Sequence, residues 1–164
     1  SLATSSDGRI FVVNRSQIRV CVCDLDENFI GSFGDGPGED DGQFKLPTDM
    51  AFDSRDRLHV ADEHNHRITV FDSSGGYLSK WGANGSGEGQ LNGPSGITFN
   101  SEDNVYIVDQ HNNRVQKFTS EGVFVIQWSP SDNGEGQFRY PRGVAVASGG
   151  SVYVADANRI QLLK

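Results

Sequence analysis

Little in this 164-residue chain favours helix or a membrane span: it has one methionine, no long amphipathic run, and no apolar stretch near the roughly 18 residues that cross a bilayer. Base is scarce as well. Fourteen Lys and Arg against 22 Asp and Glu give a formal charge of −8, whereas nonspecific nucleic-acid binding draws on Lys and Arg to neutralise phosphates. Cysteine is limited to Cys21 and Cys23. They alternate along one strand-like run, so their side chains share a face about 7 Å apart, a geometry that disfavours a mutual disulfide. Reduced, packed thiols are expected, and with them a cytoplasmic protein. The sequons Asn14-Arg15-Ser16 and Asn84-Gly85-Ser86 point the other way, but the pattern is short enough to arise by chance.

What the sequence does contain is turns and a period. Twenty glycines and runs of Asp, Asn and Ser separate short apolar stretches. An entry motif, Gly-Gln-aromatic/Leu-x-x-Pro, occurs three times, with glutamines at Gln43, Gln90 and Gln137 and prolines at Pro47, Pro94 and Pro141, 47 residues apart each time. Such a period marks blades or solenoid units, each of which buries its apolar face only by stacking on a neighbour. The second unit has four strand-like runs, at 48–53, 58–62, 67–72 and 77–82. The third repeats them at 95–100, 105–109, 114–119 and 124–128, with turn residues Ser73 to Gly76 answering to Ser120 to Gly122. A shift of 48 brings the first unit into the same frame, with Asn14 on Asp62, Arg19 on Arg67 and Phe33 on Trp81. The fourth unit supplies runs at 143–147, 152–156 and 159–163 and no fourth strand. The predicted fold is all-β: a propeller array of four-stranded antiparallel blades, near residues 1–34, 43–82, 90–128 and 137–164, with fifteen strands in total.

The runs Leu58-His-Val-Ala-Asp-Glu-His-Asn-His-Arg-Ile-Thr-Val-Phe, Val105-Tyr-Ile-Val-Asp-Gln-His-Asn-Asn-Arg-Val-Gln-Lys-Phe and Val152-Tyr-Val-Ala-Asp-Ala-Asn-Arg-Ile-Gln-Leu-Leu resemble NHL repeats. The resemblance covers nearly the whole sequence and is to the C-terminal repeats of tripartite-motif proteins in particular. It implies a blade set belonging to a six-bladed ring, whose outermost last strand comes from elsewhere. Open blade edges then favour self-association into homo-oligomers.

Antiparallel alternation puts the loops between second and third strands, and the connections from one blade to the next, at one end of the array. Loops set there on a rigid scaffold are the natural carriers of binding. Candidate ligand residues are His64, Asn65, His66, Arg67, His111, Asn112, Asn113, Arg114, Tyr140, Arg142, Asn158 and Arg159. The Asp that ends each second strand and the Arg five residues on (Asp62 with Arg67, Asp109 with Arg114) also have a scaffold role open to them, pairing across the turn while the Asn between holds loop backbone. Specificity is expected at the positions that vary, His64, His66, His111, Asn113 and Ala157. His59, inside a strand, and the equivalent Trp81 and Trp128 read as packing residues.

No cofactor or metal is predicted. His64 and His111 are equivalent, yet zinc needs three or four converging ligands and no third blade offers a histidine there. A zinc-dependent lyase-like enzyme, implied by resemblance to one catalytic member of the fold, is the least favoured function. The Gly85-Ser-Gly-Glu-Gly run lacks a following helix to hold phosphate, and the acidic run from Asp35 to Asp41 lacks the spacing of a calcium loop. No nucleophile, base and orienting acid fall into a catalytic pattern. The expected function is a non-catalytic scaffold for a protein or peptide partner, which by resemblance would be the recognition end of a tripartite-motif ubiquitin ligase. Single-stranded RNA is the alternative ligand; the net charge and the scarcity of aromatic stacking platforms other than Tyr140 weigh against it.

Overall fold

The computed structural model describes residues 1–129, 138–157 and 159–163, the last group with side chains at 160 and 162 only. Its strands form four separate sheets, each meandering in sequence order. Blade one contains β1 (Leu2–Thr4), β2 (Ile10–Asn14), β3 (Arg19–Cys23) and β4 (Phe29–Phe33); blade two, β5 (Pro47–Phe52), β6 (Leu58–Asp62), β7 (Arg67–Phe71) and β8 (Tyr77–Trp81). Blade three contains β9 (Pro94–Phe99), β10 (Asn104–Asp109), β11 (Arg114–Thr119) and β12 (Phe124–Trp128), and blade four β13 (Gly143–Val146), β14 (Val152–Asp156) and β15 (Arg159–Leu163). All pairs are antiparallel, and fifteen strands in four blades match the periodic reading to within a residue at most ends. Registers repeat too: Leu2 faces Val12 as Met50 faces Val60.

The first strands of adjacent blades pack against one another, which puts β5, β9 and β13 on the inner side of the array. Between blades lie three apolar clusters, and each takes its central residue from one copy of the entry motif. Phe44 is buried among Phe11, Val20, Val60 and Phe71, Leu91 among Ile68, Ile97, Ile107 and Phe118, and Phe138 among Val108, Val115 and Val154. Complete burial of one such residue contributes about 1.5–3 kcal/mol, so each connection anchors itself between two blades. The motif's glutamine has a local duty: Gln43 Oε1 accepts from the Asp40 N–H at 3.2 Å and Gln90 Oε1 from the Gly87 N–H at 2.9 Å. Gln137 lies outside the described residues.

The expected packing role of Trp81 is met across a blade interface. Its ring lies 4.9 Å from that of Phe118 and against Gly122, where a Cβ would come within 2.6 Å of the indole. Trp128 stacks on Tyr106 at 6.0 Å at the edge of the third cluster. Cys21 and Cys23 are both free and half-buried.

Candidate functional site

Side chains on the second strands of blades two and three are spent on clamping the connection that leads into the same blade. Asp109, wholly buried, accepts from the Asn92 N–H at 2.6 Å, Asn112 Nδ2 at 2.9 Å, Arg114 Nε at 2.6 Å and Gln116 Nε2 at 3.0 Å. Arg114 donates onward to the carbonyls of Ser86 and Gly87 at 2.8 Å and of Gln90 at 2.7 Å. In blade two Asp62 accepts from the Leu46 N–H at 2.8 Å and Asn65 Nδ2 at 2.7 Å, while Arg67 donates to the carbonyls of Glu39 at 2.6 Å, Asp40 at 3.2 Å and Gln43 at 2.9 Å. The side-chain pairing of Asp with Arg forms in blade three and not in blade two, where Arg67 Nε is buried without a partner.

Four of the candidate ligand residues give side-chain donors to this clamp. Arg67 and Arg114 are 7% and 4% exposed, their guanidinium groups turned into the loop. Asn65 and Asn112 each give Nδ2 to a loop carbonyl, Gly38 and Gly85, and to the clamping aspartate. A buried donor already bonded cannot turn to a ligand without leaving its carbonyls unsatisfied, at about 1–3 kcal/mol each.

His66 and Asn113 close the 3-10 turns at Glu63–Asn65 and Gln110–Asn112 in the left-handed region, at φ 52° and 50°. Each reaches the next blade: His66 Nδ1 accepts from the Gly93 N–H at 3.1 Å, and Asn113 Oδ1 from the Tyr140 N–H at 3.2 Å. His64 and His111 are exposed. The imidazole of His111 covers the other side of Gly93, where a Cβ would lie 2.6 Å from its Nδ1. The two histidines that approach one another's surroundings are therefore His66 and His111, not the equivalent His64 and His111. Among the described residues no group of three or more His, Cys, Asp or Glu is placed to hold a metal ion.

The acidic run is tied to lysines on this same end. Glu39 pairs with Lys45, and Asp41 with Lys80 at 2.9 Å; hydrogen bonds from Lys45 and Lys80 hold the two carboxyls below their usual range. At the opposite end, His59 is fully buried and its Nε2 lies 3.3 Å from Asp53, which also takes Arg57 Nε at 2.6 Å. Burial alone would raise the Asp53 carboxyl. Hydrogen bonds from His59, the Arg57 N–H and the Arg57 guanidinium outweigh it and hold the group well below the usual carboxylate range.

Among the cavities open on the loop end, one of about 380 Å³ brings the predicted His64, Asn65, His66 and Arg67 together beside Glu39 and Lys80, and one of about 350 Å³ takes walls from all four blades: Arg15 from the first, Thr48 and Glu63 from the second, Ser95 and Gln110 from the third, Arg142 from the fourth. Thr48 and Ser95 follow the prolines Pro47 and Pro94 on the inner strands and donate across the blade gap, to the carbonyls of Pro94 at 3.1 Å and Arg142 at 3.3 Å. Arg15, Glu63 and Gln110 hold one equivalent position, the residue after the Asp or Asn that ends the second strand. Sequence reasoning missed these three. The available signal was the change from Arg to Glu to Gln to Ala157 beside an almost constant Asp. Arg142 also lines a second cavity with Tyr140, Ala155, Asp156 and Ala157, so two of the predicted residues, Tyr140 and Arg142, meet at one groove. Asn158 and the side chain of Arg159 lie outside the described residues.

The family model of the NHL repeat matches residues 44–71, 91–118 and 138–164, about half of the sequence. Solved structures with the same fold include a catalytically inactive virginiamycin B lyase from Staphylococcus aureus with quinupristin, at 13% identity and TM-score 0.71, covering 99% of this chain and 54% of that one. The hydrazine synthase of Kuenenia stuttgartiensis superposes at 17% identity and TM-score 0.69, covering 99% and 48%. A Bacteroides thetaiotaomicron protein of unknown function does so at 14% identity and TM-score 0.73, covering 98% and 46%. The chain spans about half the length of the solved structures it matches, and at these identities the likeness shows the fold alone.

Proposed function

This chain belongs to the NHL-repeat family, and we propose that it is a non-catalytic propeller scaffold that recognises a protein or peptide at the loop end of its blades. The observation that carries this reading is the division of labour between neighbouring residues. Asp62, Asn65 and Arg67, like Asp109, Asn112 and Arg114, are committed to holding loops. The residue after each of those aspartates, by contrast, faces the shared cavity and differs in every blade: Glu63, Gln110 and, from the first blade, Arg15. A fixed frame presenting changing polar groups to one opening suits selective binding.

Within a larger protein such a scaffold would be the recognition end, a tripartite-motif ubiquitin ligase being the case suggested by the sequence, with the ligase chemistry in other domains. The charge of −8 and the single exposed aromatic of the groove, Tyr140, favour peptide over a nucleic-acid strand, which needs several neutralised phosphates and stacked bases. Titrating the purified protein with a random peptide library and a random RNA pool over a range of salt tests the reading. Peptide binding with no RNA retention supports it. Submicromolar RNA binding that weakens steeply with salt, with no peptide retained, overturns it.

A further inference from the structure

We propose that the cavity shared by the four blades seats a single carboxylate of its peptide partner, with the Arg142 guanidinium as the charged anchor and Gln110 as the second donor; this rests on the peptide-binding reading above. Most polar groups in the cavity are already used. The Thr48 and Ser95 hydroxyls are committed to the carbonyls of Pro94 and Arg142. Arg15 has a counter-charge in Glu63, 4.0 Å away and beyond hydrogen-bond reach. Arg142 is exposed, and among the described residues its guanidinium has no hydrogen bond or ion pair, nor has the Gln110 carboxamide any partner. A planar fork of N–H donors beside a free carboxamide is the arrangement that takes a carboxylate in two-point contact.

The walls also limit the charge. Glu63 lines the same cavity, so a second negative group on the ligand would meet a like charge. One carboxylate against Arg142, with a peptide N–H turned towards Glu63, satisfies both ends. The carboxylate can come from a peptide's C terminus or from an Asp or Glu side group. Beyond Arg142 the groove continues past Tyr140, Ala155, Asp156 and Ala157, where the apolar part of the wall suits an apolar residue next to the acid and Asp156, like Glu63, disfavours a second negative group.

The test uses random octapeptides made in two forms, with a free C terminus and with a C-terminal amide, panned against the protein. Acidic peptides recovered from both forms identify a side-chain carboxylate; recovery from the free-acid form alone identifies the C terminus. For a recovered peptide, Arg142→Gln is expected to weaken binding by about ten- to a hundredfold, the range for a hydrogen bond to a charged group, with Arg142→Lys retaining part and Arg9→Gln, at the far end of the array, unchanged. Converting the peptide carboxylate to an amide should weaken binding to the unmodified protein by a similar factor and add little in the Arg142→Gln variant. Peptides recovered without any carboxylate, or an amide peptide that binds as well as the acid, overturn the inference and leave peptide recognition standing. Recovery of no peptide overturns both.

Discussion

Blades two and three both bury an Asp and an Arg in the same loop motif, yet the aspartate that pairs with a charged side chain lies at opposite ends of the two blades. In blade three the buried ion pair is Asp109 with Arg114, at the loop end. In blade two the pair is buried Asp53 with half-buried Arg57, at the other end, where His59 also meets Asp53. The residue equivalent to Asp53 is Asn100, whose Oδ1 accepts from the N–H groups of Glu102 and Asn104 just as Asp53 Oδ1 accepts from those of Arg55 and Arg57. The turn needs an acceptor, not a charge. Likewise the loop clamp needs Asp and Arg each to hold backbone, but not to hold one another. What decides is the neighbourhood. Blade three places Gln116 and Gln127 around the pair, with bonds of 3.0 Å to Asp109 and 2.6 Å to Arg114. At the corresponding positions blade two has Thr69, whose buried hydroxyl is unpartnered, and Lys80, which turns to Asp41.

The comparison can be tested by unpairing each charge. Arg114→Met should cost the most, about 3–5 kcal/mol in urea unfolding, because it strands the buried Asp109 without its partner. Arg67→Met removes bonds to loop carbonyls but no ion pair, and should cost about 1–3 kcal/mol; equal losses would mean that the pairing in blade three adds nothing. Asp53→Asn, which makes blade two resemble blade three, is expected to cost about 2 kcal/mol and to flatten the acid limb of stability. The sign follows from the depressed carboxyl. Its contribution is fully present above the ordinary carboxylate value of about 4 and is lost as pH falls below that towards the folded-state value. A variant whose midpoints still fall as steeply as the parent's below about pH 4 would show that Asp53 is not the group responsible.

A smaller effect is expected at the interface between the two blades. Asp103 sits at φ 63° and accepts from the Ser54 N–H at 2.8 Å and hydroxyl at 2.9 Å, as Asp56 takes the Ser6 N–H one interface earlier. Gly150, at φ 84°, stands in this place in blade four, where glycine has no group to make the bond. Asp103→Gly should lose under about 1 kcal/mol, since the relief of a left-handed residue offsets part of the missing hydrogen bonds. Lys80→Gln, which gives blade two the glutamine that Arg114 uses in blade three, should leave the unfolding midpoint unchanged, because an exposed pair of this kind contributes little.

The strands were legible almost residue by residue because each unit repeats the alternation and turn chemistry of the others. The Gly-Gln-aromatic/Leu-x-x-Pro run was legible as a motif, and its buried Phe44, Leu91 and Phe138 give it a cause. The site was less so. Arg67 and Arg114 look like ligand-facing cations in a polar loop, and only the path of the connection, folded back over its own blade, shows them buried. The difference between the two clamps depends on Gln116 and Thr69, two residues inside strands that read as ordinary alternation. Ile18 was equally silent: it takes the left-handed position of His66 and Asn113, φ 54°, and answers their hydrogen bonds with packing against the first apolar cluster.

Most hydrogen bonds that bolt a connection in place come from the blade it enters, since Asp62, Asn65 and Arg67 hold residues 38–46 and Asp109, Asn112 and Arg114 hold residues 85–92. The transferable unit therefore begins after an outer strand, near Gly82, and ends with the next one, near Trp128. A blade excised or inserted along that cut carries its own fastenings, whereas a cut at Pro94 would separate the bolt from its plate.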